Sequence, residues 1–191
     1  MRGLDIRRLG RIDGTNVRIK RFVLPVTVDV FKELKRKVAM KRFDLILHLG
    51  LATKSKYMRI ERRAKNIIDF KIPDNSGNKI SKRCIVPKGP RFLYSSIPIG
   101  SITKRLRQEK KKFIISNSAG TYICNLLLYH SLDEARKKDR PVKIGFIHVP
   151  KFSDFGMKGS MAAIETIVRT CVQELLKKAQ SPASKKEKGR V

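Results

Sequence analysis

Three short runs, almost wholly apolar, restrict the fold of this chain more than any other feature. They are Phe43 to Leu49, Phe113 to Ser116 and Val142 to Val149. A strand with one wet face alternates apolar and polar residues, whereas a run without alternation is covered on both faces, as in a parallel sheet. Segments of helical period separate the runs. Val30, Phe31, Leu34 and Val38 mark a helix over 28–40, and 101–111 reads as a basic amphipathic helix with Ser101 as its cap. Residues 121–136 read as a third helix. A last one over 160–178 carries Met161, Ile164, Val168, Cys171 and Leu175 on one stripe. Apolar strands alternating with helices predict an α/β fold, a three-layer α/β/α sandwich with a mainly parallel central sheet.

The remaining segments read less regularly. Residues 17–25 alternate apolar and basic, which predicts a strand with one solvated face, and 57–62 read as a short extended piece. Residues 72–78 form a turn-rich loop, and 79–100, rich in proline and glycine, read as irregular. Length and composition fit one domain over 1–180. The polar, basic stretch 181–191 is expected to be a disordered tail.

Charge adds a second constraint. Lys and Arg number 45 against 16 acidic residues, a net charge of +29. Such an excess attracts polyanions whatever else the protein does. Basic residues are spread along the chain, Trp is absent, and no aromatic–basic repeat suggests a stacking platform. The charge therefore supports non-specific polyanion contacts, RNA among them, better than sequence readout. No run approaches the roughly 18 apolar residues of a membrane span, and the first residues lack the apolar core of a signal peptide. Three widely spaced cysteines, Cys84, Cys124 and Cys171, make neither a disulfide framework nor a zinc site, so a cytoplasmic, reducing location is expected.

In parallel sheets, chemistry gathers at the carboxyl ends of the strands. Past Ser116, a small-residue turn (Asn117 to Gly120) leads to a helix start that places Cys124 in or near its first turn, where dipole and free N–H groups favour a thiolate. His148 lies at the end of the third apolar run and could exchange a proton with such a thiol. Glu61 could hold an imidazole in the required tautomer. Each has a plainer reading: a small buried hydrophobe, a satisfied core histidine, a solvated glutamate. His48, in a similar apolar run, is read as structural, and His130 is unassigned.

The motifs around these residues form a linked set. Ser116-x-x-Ala119-Gly120-x-Tyr122-x-Cys124-Asn125 resembles the nucleophile motif of pyroglutamyl-peptidase I, a cysteine peptidase family. Gly145 to Pro150 is similar to that family's histidine motif. His48-x-Gly50-x-Ala52, Glu61-x-x-Ala64-x-Asn66 and Ile72-Pro73-Asp74-Asn75-x-Gly77 are similar to its glutamate region. The order Glu, Cys, His and the separations of 63 and 24 residues agree as well. The resemblance runs from about Val23 to Leu176 and implies a phosphorylase/hydrolase-like fold. It also implies removal of N-terminal pyroglutamyl residues from peptides, with Cys124 as nucleophile, His148 as general base, Glu61 orienting it, and no metal or cofactor. Lys71, standing where the family commonly has Arg, would help bind the oxyanion. Ile72, Tyr122, Ile123 and backbone near Leu51 would line the pocket. One departure is the absence of the family's initial strand and Gly-Phe-x-Pro-Phe-Gly loop, whose aromatics help form the pocket. The alternative expectation is therefore a catalytically weak or inactive relative that binds polyanions such as RNA non-specifically through its basic surface.

Overall fold

A computed structural model describes residues 10–38, 42–137 and 142–180. The tail beyond 180 lies outside the described residues. The elements run in the order β1 (Arg11–Ile12), β2 (Thr15–Asn16), α1 (Val30–Lys37), β3 (Leu45–Leu51), β4 (Met58–Glu61), β5 (Arg63–Lys65), β6 (Phe92–Tyr94), α2 (Ile99–Gln108), β7 (Phe113–Ser116), α3 (Ile123–Ala135), β8 (Lys143–Val149), α4 (Phe152–Phe155) and α5 (Met157–Gln180). The main sheet has the order β3-β8-β4-β7. Pairs β3/β8 and β4/β7 are parallel, while β4/β8 is antiparallel, so the sheet is mixed. All three apolar runs become strands of it. The most apolar, β8, takes an inner place and is buried along nearly its whole length.

Alternation along the strands divides the side chains between two cores. Ile144 and Phe146 of β8 and Ile46 of β3 face α1 and α3, packing with Val30, Leu34, Leu128 and Tyr129. Ile147 and Val149 of β8, with Met58 and Ile60 of β4, face α2 and α5, packing on Ile102, Leu106, Ile164 and Ile167. The sheet is thus sandwiched between two helical layers. The buried stripe of α5 runs through Ala163, Ile164, Ile167 and Cys171. Of the expected stripe, Met161, Val168 and Leu175 are only partly buried.

Several expectations need correction. Residues 17–25 form no strand. Their alternation finds no ladder to join, and Ile19, Phe22 and Val23 stay exposed. Helix α2 starts at Ile99 behind Pro98, not at a Ser101 cap. The stretch 79–100 contains β6, which pairs antiparallel with β5. Among the described residues β3 is an edge strand, mostly half-buried. The strands' carboxyl ends do not all lie along one edge of the sheet. Because β4 and β7 run against β8, the ends of β7 and β8 point in opposite directions.

Candidate active site

The three candidate residues meet on one face of the sheet, the face covered by α3. On the antiparallel pair β4/β8, Arg59 stands opposite His148 and Glu61 opposite Phe146, so all four project to the same side. His148 Nδ1 lies 2.8 Å from Glu61 Oε1. Glu61 is fully buried and His148 is 8% exposed. Arg59 Nε donates to the same Oε1 at 3.2 Å, and Glu61 Oε2 has no partner. A buried carboxylate without countercharge is costly. Here one guanidinium and one imidazole share a single oxygen.

Cys124 is delivered to this face by α3. The turn after β7 reverses the chain, helped by Gly120 at φ 84°, a left-handed conformation that suits glycine. Tyr122 caps α3 in an extended conformation, making Cys124 the second residue of the helix. Asn125 clamps that start. Its Oδ1 accepts from Lys65 N–H at 2.9 Å, and its Nδ2 donates to the Lys65 and Ile67 carbonyls, both at 2.9 Å. The thiol then lies over Gly50 of β3. A Cβ added at Gly50 would stand 3.2 Å from Cys124 Sγ and 2.8 Å from Phe146 Cζ. Gly50 is the register partner of His148 on parallel neighbours, and the His148 ring sits 4.7 Å from that of Phe146. Burial pushes the Cys124 thiol up to about 11. The nearby negative charge of Glu61 adds to this, and the cysteine's own N–H works against it. The resting sulfur is thus a neutral thiol that needs a base.

Arg59 was not singled out from sequence. Besides Glu61, its Nη2 donates to Ser116 Oγ at 2.7 Å and to the Ser118 carbonyl at 3.2 Å. It therefore ties the Glu61–His148 pair to the turn that delivers Cys124. The available signal was its position two residues before Glu61, on the same face of one strand.

The remaining candidates are more dispersed. Ile72 is 65% exposed and Leu51 52% exposed, both with apolar surface open to solvent. Lys71 is exposed beside Ile72. Tyr122 stacks edge-on against Phe70 at 4.7 Å and donates to the Pro73 carbonyl at 2.9 Å, which fastens the loop bearing Ile72. That loop is built around Asp74, whose oxygens accept from the N–H groups of Val28, Ser76 and Asn78. Burial alone would raise its carboxyl, but these bonds hold it below the ordinary value. Ile123 is buried in the α3 core. His48 is structural: its Nε2 bonds Ser131 Oγ at 2.9 Å, and burial lowers it to about 4. His130 stacks on Phe31 at 4.9 Å.

A cysteine in the first turn of a helix, on the face of an α/β sheet that also carries a histidine–carboxylate pair, is an arrangement suited to thiol hydrolases. A model of the pyroglutamyl peptidase family matches residues 5–178, and the chain belongs to that family. Among its relatives, the pyrrolidone-carboxylate peptidase of Pyrococcus furiosus is 43% identical over 129 residues, 67% of this chain and 62% of that protein. The one of Thermococcus litoralis is 39% identical over 133 residues, 69% of this chain and 60% of that protein. The matched stretch thus spans about three-fifths of these curated relatives. The solved structure of the Thermococcus litoralis pyrrolidone carboxyl peptidase superposes with a TM-score of 0.75 at 33% identity, covering 82% of this chain and 78% of that one. A Pyrococcus furiosus mutant (E192I) gives 0.76 at 33% identity, covering 86% of each. The α/β sandwich is the fold of these peptidases.

Proposed function

We propose that this chain is a cysteine peptidase that removes N-terminal pyroglutamyl residues from peptides. The observation that carries the reading is the 2.8 Å contact between His148 Nδ1 and Glu61 Oε1 on the face where Cys124 stands at the start of α3. With Nδ1–H donated to the carboxylate, Nε2 is left as the base. It takes the proton of the neutral Cys124 thiol as sulfur attacks the pyroglutamyl carbonyl. The negative oxygen that forms is met by N–H groups in the first turn of α3, which have no intrahelical acceptor, Cys124's own among them. Lys71 adds positive charge at the rim. When the C–N bond breaks, His148 returns the proton to the leaving amine, and a thioester remains. Water, deprotonated by His148, then releases pyroglutamate and restores the thiol. Glu61 stabilises the transient imidazolium, and Arg59 positions Glu61.

Ile72, Leu51 and Tyr122 are assigned to the pocket rim. Ile123 acts from the core behind it. Cys84, Cys124 and Cys171 are all free thiols, which accords with a reducing, cytoplasmic location. The test is release of a fluorogenic amine from a pyroglutamyl-amide. Wild type should turn over, and Cys124→Ala should lose all release. Equal release by the two proteins refutes the reading.

A further inference from the structure

The antiparallel pair β5/β6 brings together residues that lie 27 or more positions apart. Register sets Arg63 against Tyr94, Ala64 against Leu93 and Lys65 against Phe92. Ala64 and Leu93 turn inward and join the α3 core. Arg63, Lys65, Phe92 and Tyr94 therefore share the outer face, two cations and two aromatic rings in opposed pairs. Tyr94 is 60% exposed. The face is held in place. The Arg63 guanidinium stacks 4.1 Å from the Phe92 ring centre and its Nε donates to the Asn117 carbonyl at 3.0 Å. Arg91 approaches the same ring at 5.4 Å. Beneath, Asn125 bonds the Lys65 backbone and Tyr129 Oη donates to the Pro90 carbonyl at 2.7 Å.

We infer that this outer face binds single-stranded nucleic acid, RNA in the first instance. The partner must be anionic, given the ribbon's cations and the chain's net charge of +29. The aromatic rings, in register with the cations, distinguish a nucleic acid from an acidic protein. Bases stack on an exposed ring while fixed cations hold the adjoining phosphates, without sequence preference. Arg63 serves this pairing well, since its stacked guanidinium is already immobilised and loses little freedom on meeting a phosphate. The Glu61–His148 pair and Cys124 lie on other elements, so the inference is independent of the peptidase reading.

The test uses the full chain and a fluorescein-labelled oligouridylate of about a dozen nucleotides, followed by anisotropy. Wild type should bind with a micromolar Kd at about 50 mM salt. Tyr94→Ala should weaken RNA binding about fivefold or more, Tyr94→Phe should preserve it, and heparin, which has no bases, should bind both equally. The double variant Lys65→Ala, Arg91→Ala should lower the slope of log K against log salt by about 0.7 per cation removed. Thermal melting confirms that each variant is folded, and Tyr94→Phe controls for the loss of the ring. The inference is overturned by absence of RNA binding in wild type. It is equally overturned by RNA affinity and salt slope that none of these variants changes. A polyglutamate peptide that binds as tightly as RNA and responds to the same variants would assign the face to an acidic protein instead.

Discussion

Replacing Arg59 with Met removes the countercharge of a fully buried carboxylate while keeping an unbranched side chain of similar reach. The guanidinium donates to Glu61 Oε1 at 3.2 Å, and its side chain is one-third exposed. A bond to a charged group is worth about 1.5–3 kcal/mol, and exposure of the arginine argues for the lower half of that range. Glu61 Oε2 has no partner, so the His148 ring is left as the donor to this carboxylate. The variant also loses the bonds to Ser116 Oγ and the Ser118 carbonyl that tie the Glu61–His148 pair to the turn delivering Cys124. Loss of about 1.5–2 kcal/mol of that positioning from the transition state lowers kcat/KM about 10- to 30-fold. Arg59→Lys keeps the charge and loses the fork to Ser116 and Ser118, and should lower kcat/KM less than Arg59→Met does. The assay is initial-rate hydrolysis of a pyroglutamyl-amide, with thermal melting to confirm that each variant is folded. A folded Arg59→Met protein that keeps the wild-type kcat/KM would refute the argument.

Other perturbations give separable outcomes. Gly50→Ala should abolish turnover and lower stability by about 1–3 kcal/mol, since its Cβ would meet Phe146 at 2.8 Å and Cys124 Sγ at 3.2 Å; melting and turnover check both. Asn125→Ala orphans one N–H and two carbonyls and should cost about 2–4 kcal/mol in denaturant unfolding. His48 is neutral in the fold down to about 4, whereas the unfolded chain gains that proton below about 6.5. Its stabilising contribution is therefore intact above 6.5 and lost as pH falls toward 4, on the order of 3 kcal/mol, and His48→Gln should flatten that part of the stability–pH curve. Cys124 has the opposite sign: with its thiol pushed up to about 11, its contribution is present below about 9 and lost as pH rises through 11, a loss that Cys124→Ala should remove.

Much of this was legible in the sequence. The apolar runs announced β3, β7 and β8, and the linked motifs brought Glu61, Cys124 and His148 into one hypothesis. Strand direction was not legible. Nothing in Met58 to Glu61 tells that β4 runs against β8, so the face on which the site forms came only from the register. Residues 17–20 of the 17–25 segment alternate apolar and basic, yet a pattern becomes a strand only where a ladder accepts it. Arg59 was hidden because its role rests on Ser116 and Ser118, 57 and 59 residues away. The paired rings and cations of β5 and β6 are hidden for the same reason: no short window along the chain contains both strands.

The antiparallel seam between β4 and β8 also has a consequence for how the molecule is made. The Glu61–His148 contact joins residues 87 positions apart, and among the described residues the strand bearing His148 is the last to be synthesised. Helix α3 and the β5–β6 ribbon form from shorter loops, whose closure is less costly in entropy. A refolding chain should therefore form α3 and the β5–β6 ribbon before β8 enters between β3 and β4. Catalytic competence is then the late event of folding, and its recovery should lag behind the return of helical signal.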